Sequence, residues 1–127
     1  MENMMVFLQD RLGGRPTIEH VVDVFEEMCE IPAEDDMILF ETGTFSFTGK
    51  PRFQISLVRQ LPDGDGEYLQ FHVNILYNPA AESGAFTEAV WNEDLDESIF
   101  DYIRKSPAFA YAKTREYVNI EIYMDET

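Results

Sequence analysis

One cysteine, two histidines and nine basic residues are all that this 127-residue sequence contains of those types, and each scarcity excludes something. A lone Cys29 rules out an intramolecular disulfide and any zinc site built from several cysteines. It also fits a reducing, cytoplasmic setting. The nine Lys and Arg stand against 25 Asp and Glu, for a formal net charge of -16. Direct binding to a nucleic-acid backbone requires a basic footprint and is not expected. No stretch approaches the roughly 20 apolar residues of a membrane helix. The start, from Met1 to Asp10, has neither the basic cluster nor the sustained apolar run of a signal peptide. No phosphate-cradling glycine loop, Gly-x-Ser-x-Gly elbow or His-Glu-x-x-His zinc motif occurs. No cofactor and no metal are expected, and a non-catalytic role is favoured.

What is present is material for a core. Apolar residues make up 45% of the chain and aromatics 13%. A chain of this length is one domain's worth, so residues 1–127 read as a single α+β domain. Such a chain buries roughly two thirds of its unfolded surface and needs no covalent staple. Abundant Phe, Tyr, Ile, Leu and Val argue against disorder despite the charge.

Helical spacing of Met1, Met4, Met5, Leu8 and Leu12 predicts a first helix that stops at Gly13-Gly14. A second follows, capped by Thr17, with Ile18, Val21, Val22, Phe25, Met28 and Cys29 on one face and an end at Ile31-Pro32. Strands are expected over 37–41 and 44–48 with a turn at Thr42-Gly43, and over 52–61, 67–77 and 117–124. The segment Pro62-Asp63-Gly64-Asp65-Gly66 has strong turn chemistry. A symmetric hairpin through it pairs Leu57 with Phe71, Ile55 with Val73 and Phe53 with Ile75. On the opposite face it pairs Gln60 with Tyr68, Val58 with Gln70, Ser56 with His72 and Gln54 with Asn74. Asn78-Pro79 ends that strand, and a loop runs through Ser83-Gly84 and on past Phe86 and Trp91. Asp94 and Glu97 resemble a capping box for a helix with Leu95, Ile99, Tyr102 and Ile103 inward. Ser106-Pro107 opens one further short turn of helix. The element order is α-α-β-β-β-β-α-β, an antiparallel sheet of about five strands with helices packed on one face.

The second sheet face carries the main functional expectation. It holds Gln54, Ser56, Gln60, Tyr68, Gln70, His72, Asn74, Tyr117, Asn119, Glu121 and Tyr123. Only Glu121 of these is charged, in a chain that is 27% charged. Amide, hydroxyl and Tyr side chains suit contact surfaces because they bury area and still find hydrogen bonds. The plain alternative is an ordinary wet sheet face. A second candidate is the acidic face of the second helix, Glu19, Asp23, Glu26, Glu27 and Glu30, which could steer a basic partner or simply keep the protein soluble.

Other constellations are thinner. Asp63-Gly64-Asp65-Gly66-Glu67 has acids at alternate positions but no register that supplies an EF-hand's glycine and glutamate, so it reads as a turn. His72 is placed across from Ser56 and could pair with Glu121 if the last strand joins the hairpin. Cys29, beside Met28 on the buried stripe, reads as an inert core thiol. Phe86 or Trp91 is expected to cover the core edge or line a pocket. The sequence favours a domain that binds a protein, one with a basic surface, in an inhibitor, immunity-type or adaptor role. A small-molecule site around His72 is the alternative, and a second copy of the chain is a third candidate partner.

Overall fold

The computed structural model describes residues 2–31, 33, 35–47, 49–77 and 86–126. Expected features at Met1, Pro32, Thr48, Asn78-Pro79 and Ser83-Gly84 lie outside them. Helices α1 (Glu2–Leu12) and α2 (Ile18–Met28) lead into strands β1 (Met37–Phe47), β2 (Lys50–Pro62), β3 (Tyr68–Tyr77) and β4 (Glu88–Trp91). A 3-10 turn at Asn92–Asp94, helices α3 (Ile99–Lys105) and α4 (Pro107–Ala112), and strand β5 (Asn119–Glu126) complete the chain. The five strands form one antiparallel sheet in the order β4-β1-β2-β3-β5. Among the described residues no helix is long and apolar enough to cross a membrane.

The helices start where the sequence places polar caps. The Thr17 hydroxyl accepts from the His20 amide at 3.1 Å. The Ser106 hydroxyl accepts from the Phe109 amide at 3.1 Å and donates to the Ile103 carbonyl at 2.7 Å, so one side chain closes α3 and opens α4. All four helices bury their apolar stripes in a single core with Phe40, Phe53, Ile55, Leu57, Phe71, Val73 and Ile75 from one face of the sheet. Phe25 of α2 meets Phe100 of α3 at 6.2 Å, and Tyr102 packs edge-on against Phe40 at 6.3 Å. Helices on one face of an antiparallel sheet, in the order read from the sequence, is the observed architecture.

Four details differ from the sequence reading. Strand β1 runs through Thr42-Gly43 without turning, because Gly43 takes a backbone φ of +146° that most side chains avoid. The strand count is restored by β4, formed from residues read as loop, which pairs Val90 with Phe40 and Trp91 with Leu39. The hairpin register is shifted by two: Leu57 faces Val73, Ile55 faces Ile75 and Phe53 faces Tyr77. The loop spans Asp63 to Glu67, where the Asp63 amide donates to the Glu67 carbonyl at 3.0 Å. The Asp63 carboxylate there accepts from the Asp65 and Glu67 amides at 2.8 and 3.3 Å. A shift of two leaves every side chain on its expected face. Finally, Ser98 rather than Asp94 caps α3, accepting from the Phe100 amide at 3.2 Å. Residues 92–94 are taken up by the 3-10 turn, and the Asn92 side chain accepts from the Ile38 amide at 3.1 Å, fixing β4 to β1.

The core face also buries polar side chains, Thr42 and, as its one buried cation among the described residues, Arg59. Arg59 stands in the row Ile38–Arg59–Phe71 and is 0% exposed. Its Nε donates to Asp36 Oδ2 at 2.6 Å, its Nη1 to the Met28 carbonyl at 2.9 Å, and its Nη2 to the Ile31 carbonyl. A helix leaves its last carbonyls without intrahelical partners, and here a guanidinium adds a charged donor to the Met28 carbonyl beside the long bond from the Ile31 amide at 3.4 Å. Arg59 thereby ties the end of α2 and the entry to β1 into the core.

Candidate functional site

The open face of the sheet is a grid whose rows follow from the register. One row is Trp91, Leu39, Val58, His72 and Tyr123, running across all five strands. The next is Ala89, Glu41, Ser56, Asn74 and Glu121. Beyond it lie Gly43, Gln54, Leu76 and Asn119; on the other side lie Met37, Gln60, Gln70 and Asp125. The face is therefore an apolar and aromatic row flanked by polar ones. The His72 and Tyr123 rings are stacked, with centroids 4.4 Å apart and planes inclined by 7°.

Its centre is unusually closed. Gln54, Ser56, Val58 and Asn74 are at most 5% exposed, although the helices bury their stripes on the opposite side. Val58 is a buried hydrophobe outside the main core cluster. Gln54 Nε2 donates to Ser56 Oγ at 2.8 Å, and Asn74 Nδ2 donates to the Tyr123 hydroxyl at 3.4 Å. The remaining amide oxygens, Gln54 Oε1 and Asn74 Oδ1, are buried with no partner among the described residues. Rotating either amide exchanges its oxygen and nitrogen and leaves the other end unpartnered. An orphaned buried polar group costs about 1–3 kcal/mol, and these two share one face of the sheet.

The sequence-predicted residues sort unevenly. Gln54, Ser56, Gln70, His72, Asn74, Asn119 and Tyr123 all lie on this face as expected. Tyr68 pairs with Pro62 at the hairpin end of β3. Tyr117 does not belong to the face: it precedes β5, and the Arg15 guanidinium stacks over its ring at 4.5 Å. Glu41 and Asp125 were not among the expected face residues and add two carboxylates to it. Partial burial pushes the Glu41 carboxyl above its usual range.

Among the described residues no triad or acid–base pair forms around His72. Val58, not Ser56, stands across from it, since the two-residue shift moves Ser56 opposite Asn74. Strand β5 does join β3, but it sets Tyr123 rather than Glu121 beside the imidazole. A ring nitrogen of His72 is hydrogen-bonded to Gln70 Oε1 at 2.9 Å. Burial lowers the pKa of His72, with Asp125 opposing more weakly. His20 has a local partner too, its Nε2 lying 2.8 Å from the Arg11 carbonyl. Cys29 is half-buried, and burial pushes its thiol up to about 12, the unreactive end of the thiol range. Among the described residues, no three His, Cys, Asp or Glu side chains gather as metal ligands.

The acidic helix face is largely spent inside the molecule. Arg104 of α3 bridges Asp23 and Glu26 at 2.9 and 2.7 Å. Arg11 of α1 meets Glu27 at 3.2 Å, and Lys113 lies 4.0 Å from Glu19. Glu30 alone of the five makes no ion pair among the described residues. These exposed pairs are worth at most about 1 kcal/mol each, but together they link α2 to α1, α3 and the end of α4. Phe86 joins an aromatic cluster at the core edge, 5.9 Å from Phe53 and 5.5 Å from Tyr111, while Trp91 sits on the open face. No protein-family model, curated protein or solved structure matches this chain.

Proposed function

We propose that this chain is a non-catalytic protein-interaction domain that takes its partner on the open face of the sheet. The observation that carries the reading is the pair of buried amide oxygens, Gln54 Oε1 and Asn74 Oδ1, that have no partner among the described residues, beside the row Trp91, Leu39, Val58, His72 and Tyr123. Interfaces are built from aromatic and aliphatic anchors with a few polar groups that need partners. Glu41, Glu121 and Asp125 on the flanking rows favour a partner with basic groups around its contact. The acidic face of α2 ranks second, because four of its five acids already hold neighbouring helices. A cytoplasmic location goes with this reading and rests on the single cysteine.

The experiment is a comparative capture from the native host's lysate. Bait is the wild-type chain, the pair His72→Ala/Tyr123→Ala, or the pair Glu27→Gln/Glu30→Gln, at low and high salt. A protein held by the wild type and the helix variant, but released by the folded sheet variant, supports the reading. A protein held equally by all three would remove it. The second reading, a small ligand around His72, is favoured by the same two amides. It predicts no protein on the bait and a thermal shift with N–H-rich small molecules. Light scattering separates a partner protein from a second copy of the chain.

A further inference from the structure

A separate groove lies on the helical side, between α1 and the end of α2. It has a volume of about 430 Å3 and is lined by Met4, Phe7, Glu27, Met28, Glu30 and Ile31. That is within the roughly 300–1,000 Å3 of sites that hold a whole ligand. Its walls are apolar and Met-rich, and Ile31 is 53% exposed. Its rim is acidic. Of its two acids, Glu27 is already paired with the Arg11 guanidinium at 3.2 Å, so the unpaired rim charge among the described residues is Glu30. Arg11 is held by Glu27 and lies over the Phe7 ring at 4.6 Å, and Arg59 is fully buried against Asp36. Glu30 makes no ion pair among the described residues.

We propose that this groove receives an amphipathic basic helix from a partner protein, its apolar side chains seated on Met4, Phe7 and Ile31 above the buried Met28, and its Lys or Arg facing Glu30. Three features select this occupant. The acidic rim repels fatty acids and other anionic amphiphiles. The net charge of -16 opposes a second copy of the chain and draws a cation-rich segment from a distance. Flexible methionines let a groove repack around side chains of differing shape, as helix-binding grooves do.

The test uses a fluorescein-labelled peptide of Leu and Lys at helical spacing, and a second peptide of the same composition in scrambled order. Fluorescence anisotropy reads affinity, and the methyl signals of Met4 and Met28 report location. The patterned peptide is expected to bind saturably, to move both methyl signals, and to bind more weakly when salt is raised from about 50 to about 500 mM. Ile31→Ser, at an exposed position that leaves the fold intact, is expected to weaken it about tenfold, and Glu30→Lys several-fold. His72→Ala/Tyr123→Ala should leave peptide binding unchanged, which separates this groove from the sheet face. Equal binding of both peptides without methyl shifts, unaltered binding by Ile31→Ser, or no saturable binding would each overturn the proposal.

Discussion

Replacing Arg59 with methionine is expected to cost this protein about 3–5 kcal/mol, out of a total that for most domains is only about 5–15. The magnitude follows from what the substitution strands. The Ile31 carbonyl loses its Arg59 donor and the Met28 carbonyl keeps only the long bond from the Ile31 amide at 3.4 Å, together about 1–2 kcal/mol. Asp36, whose side chain is 13% exposed, keeps its burial and loses its one ion-pair partner among the described residues, at about 2 kcal/mol more. Methionine fills the volume, so little of the loss comes from a cavity. The pH dependence carries the diagnostic. Burial already raises the Asp36 carboxyl, and the hydrogen bond and charge of Arg59 both oppose that rise. Without Arg59 the folded-state value climbs further above the unfolded one. A carboxyl raised on folding binds more protons in the native state, so stability falls as pH rises through that window. The deficit of Arg59→Met should therefore be smaller near pH 5 than near pH 7, and Arg59→Met/Asp36→Asn should remove the difference. Urea unfolding followed by Trp91 fluorescence measures both. A loss under about 1 kcal/mol, or the same loss at both pH values, would refute the account.

Other outcomes follow from the same structure. Gly43→Ala should destabilise by about 1–3 kcal/mol in urea unfolding, since φ is +146° and a new Cβ would stand 3.4 Å from the Thr87 side chain. A neutral result would mean that β1 can relax there. Ser106→Ala should cost about 1–2 kcal/mol, because the hydroxyl serves the ends of two helices; calorimetry checks it. Burial lowers the pKa of His72, so the unfolded chain binds more protons just below pH ~6.5, and His72 should erode stability as pH falls through that range. The melting temperature of the wild type should therefore fall relative to His72→Gln between about pH 7 and pH 5, and a constant difference would contradict the assignment. Cys29, with its thiol pushed up to about 12, should react slowly with a disulfide reagent at mildly alkaline pH and rapidly once unfolded in urea.

Local pattern was enough to place most elements. Thr17, Ser106 and the spacing of Ile18, Val21, Val22 and Phe25 mark helices because capping and a 3.6-residue period act over neighbours in the chain. Alternation in 52–61 and 67–77 assigned the two faces of the hairpin, and that assignment survived a two-residue error in register because side chains alternate with a period of two. The same alternation marked Gln54, Ser56, His72 and Asn74 as one polar face.

Other features depend on contacts distant in sequence. Strand β4 has four residues and little pattern of its own; pairing with β1 and the Asn92–Ile38 hydrogen bond make it a strand. Arg59 continues an alternating apolar series and gives no local sign that it would be buried as a cation. That depends on Asp36 and on the end of α2 arriving at the same point. The ion pairs that occupy the acidic helix face come from Arg11, Arg104 and Lys113, on three other parts of the chain. Glu41, Trp91 and Asp125 join the open face only through strand order. Short-range geometry and hydrophobic periodicity thus determined the elements and their faces from the sequence alone. Which rows meet across the sheet, which charges are spent and which polar groups are left unpaired were decided by tertiary structure, since each needs two or more elements brought together in space.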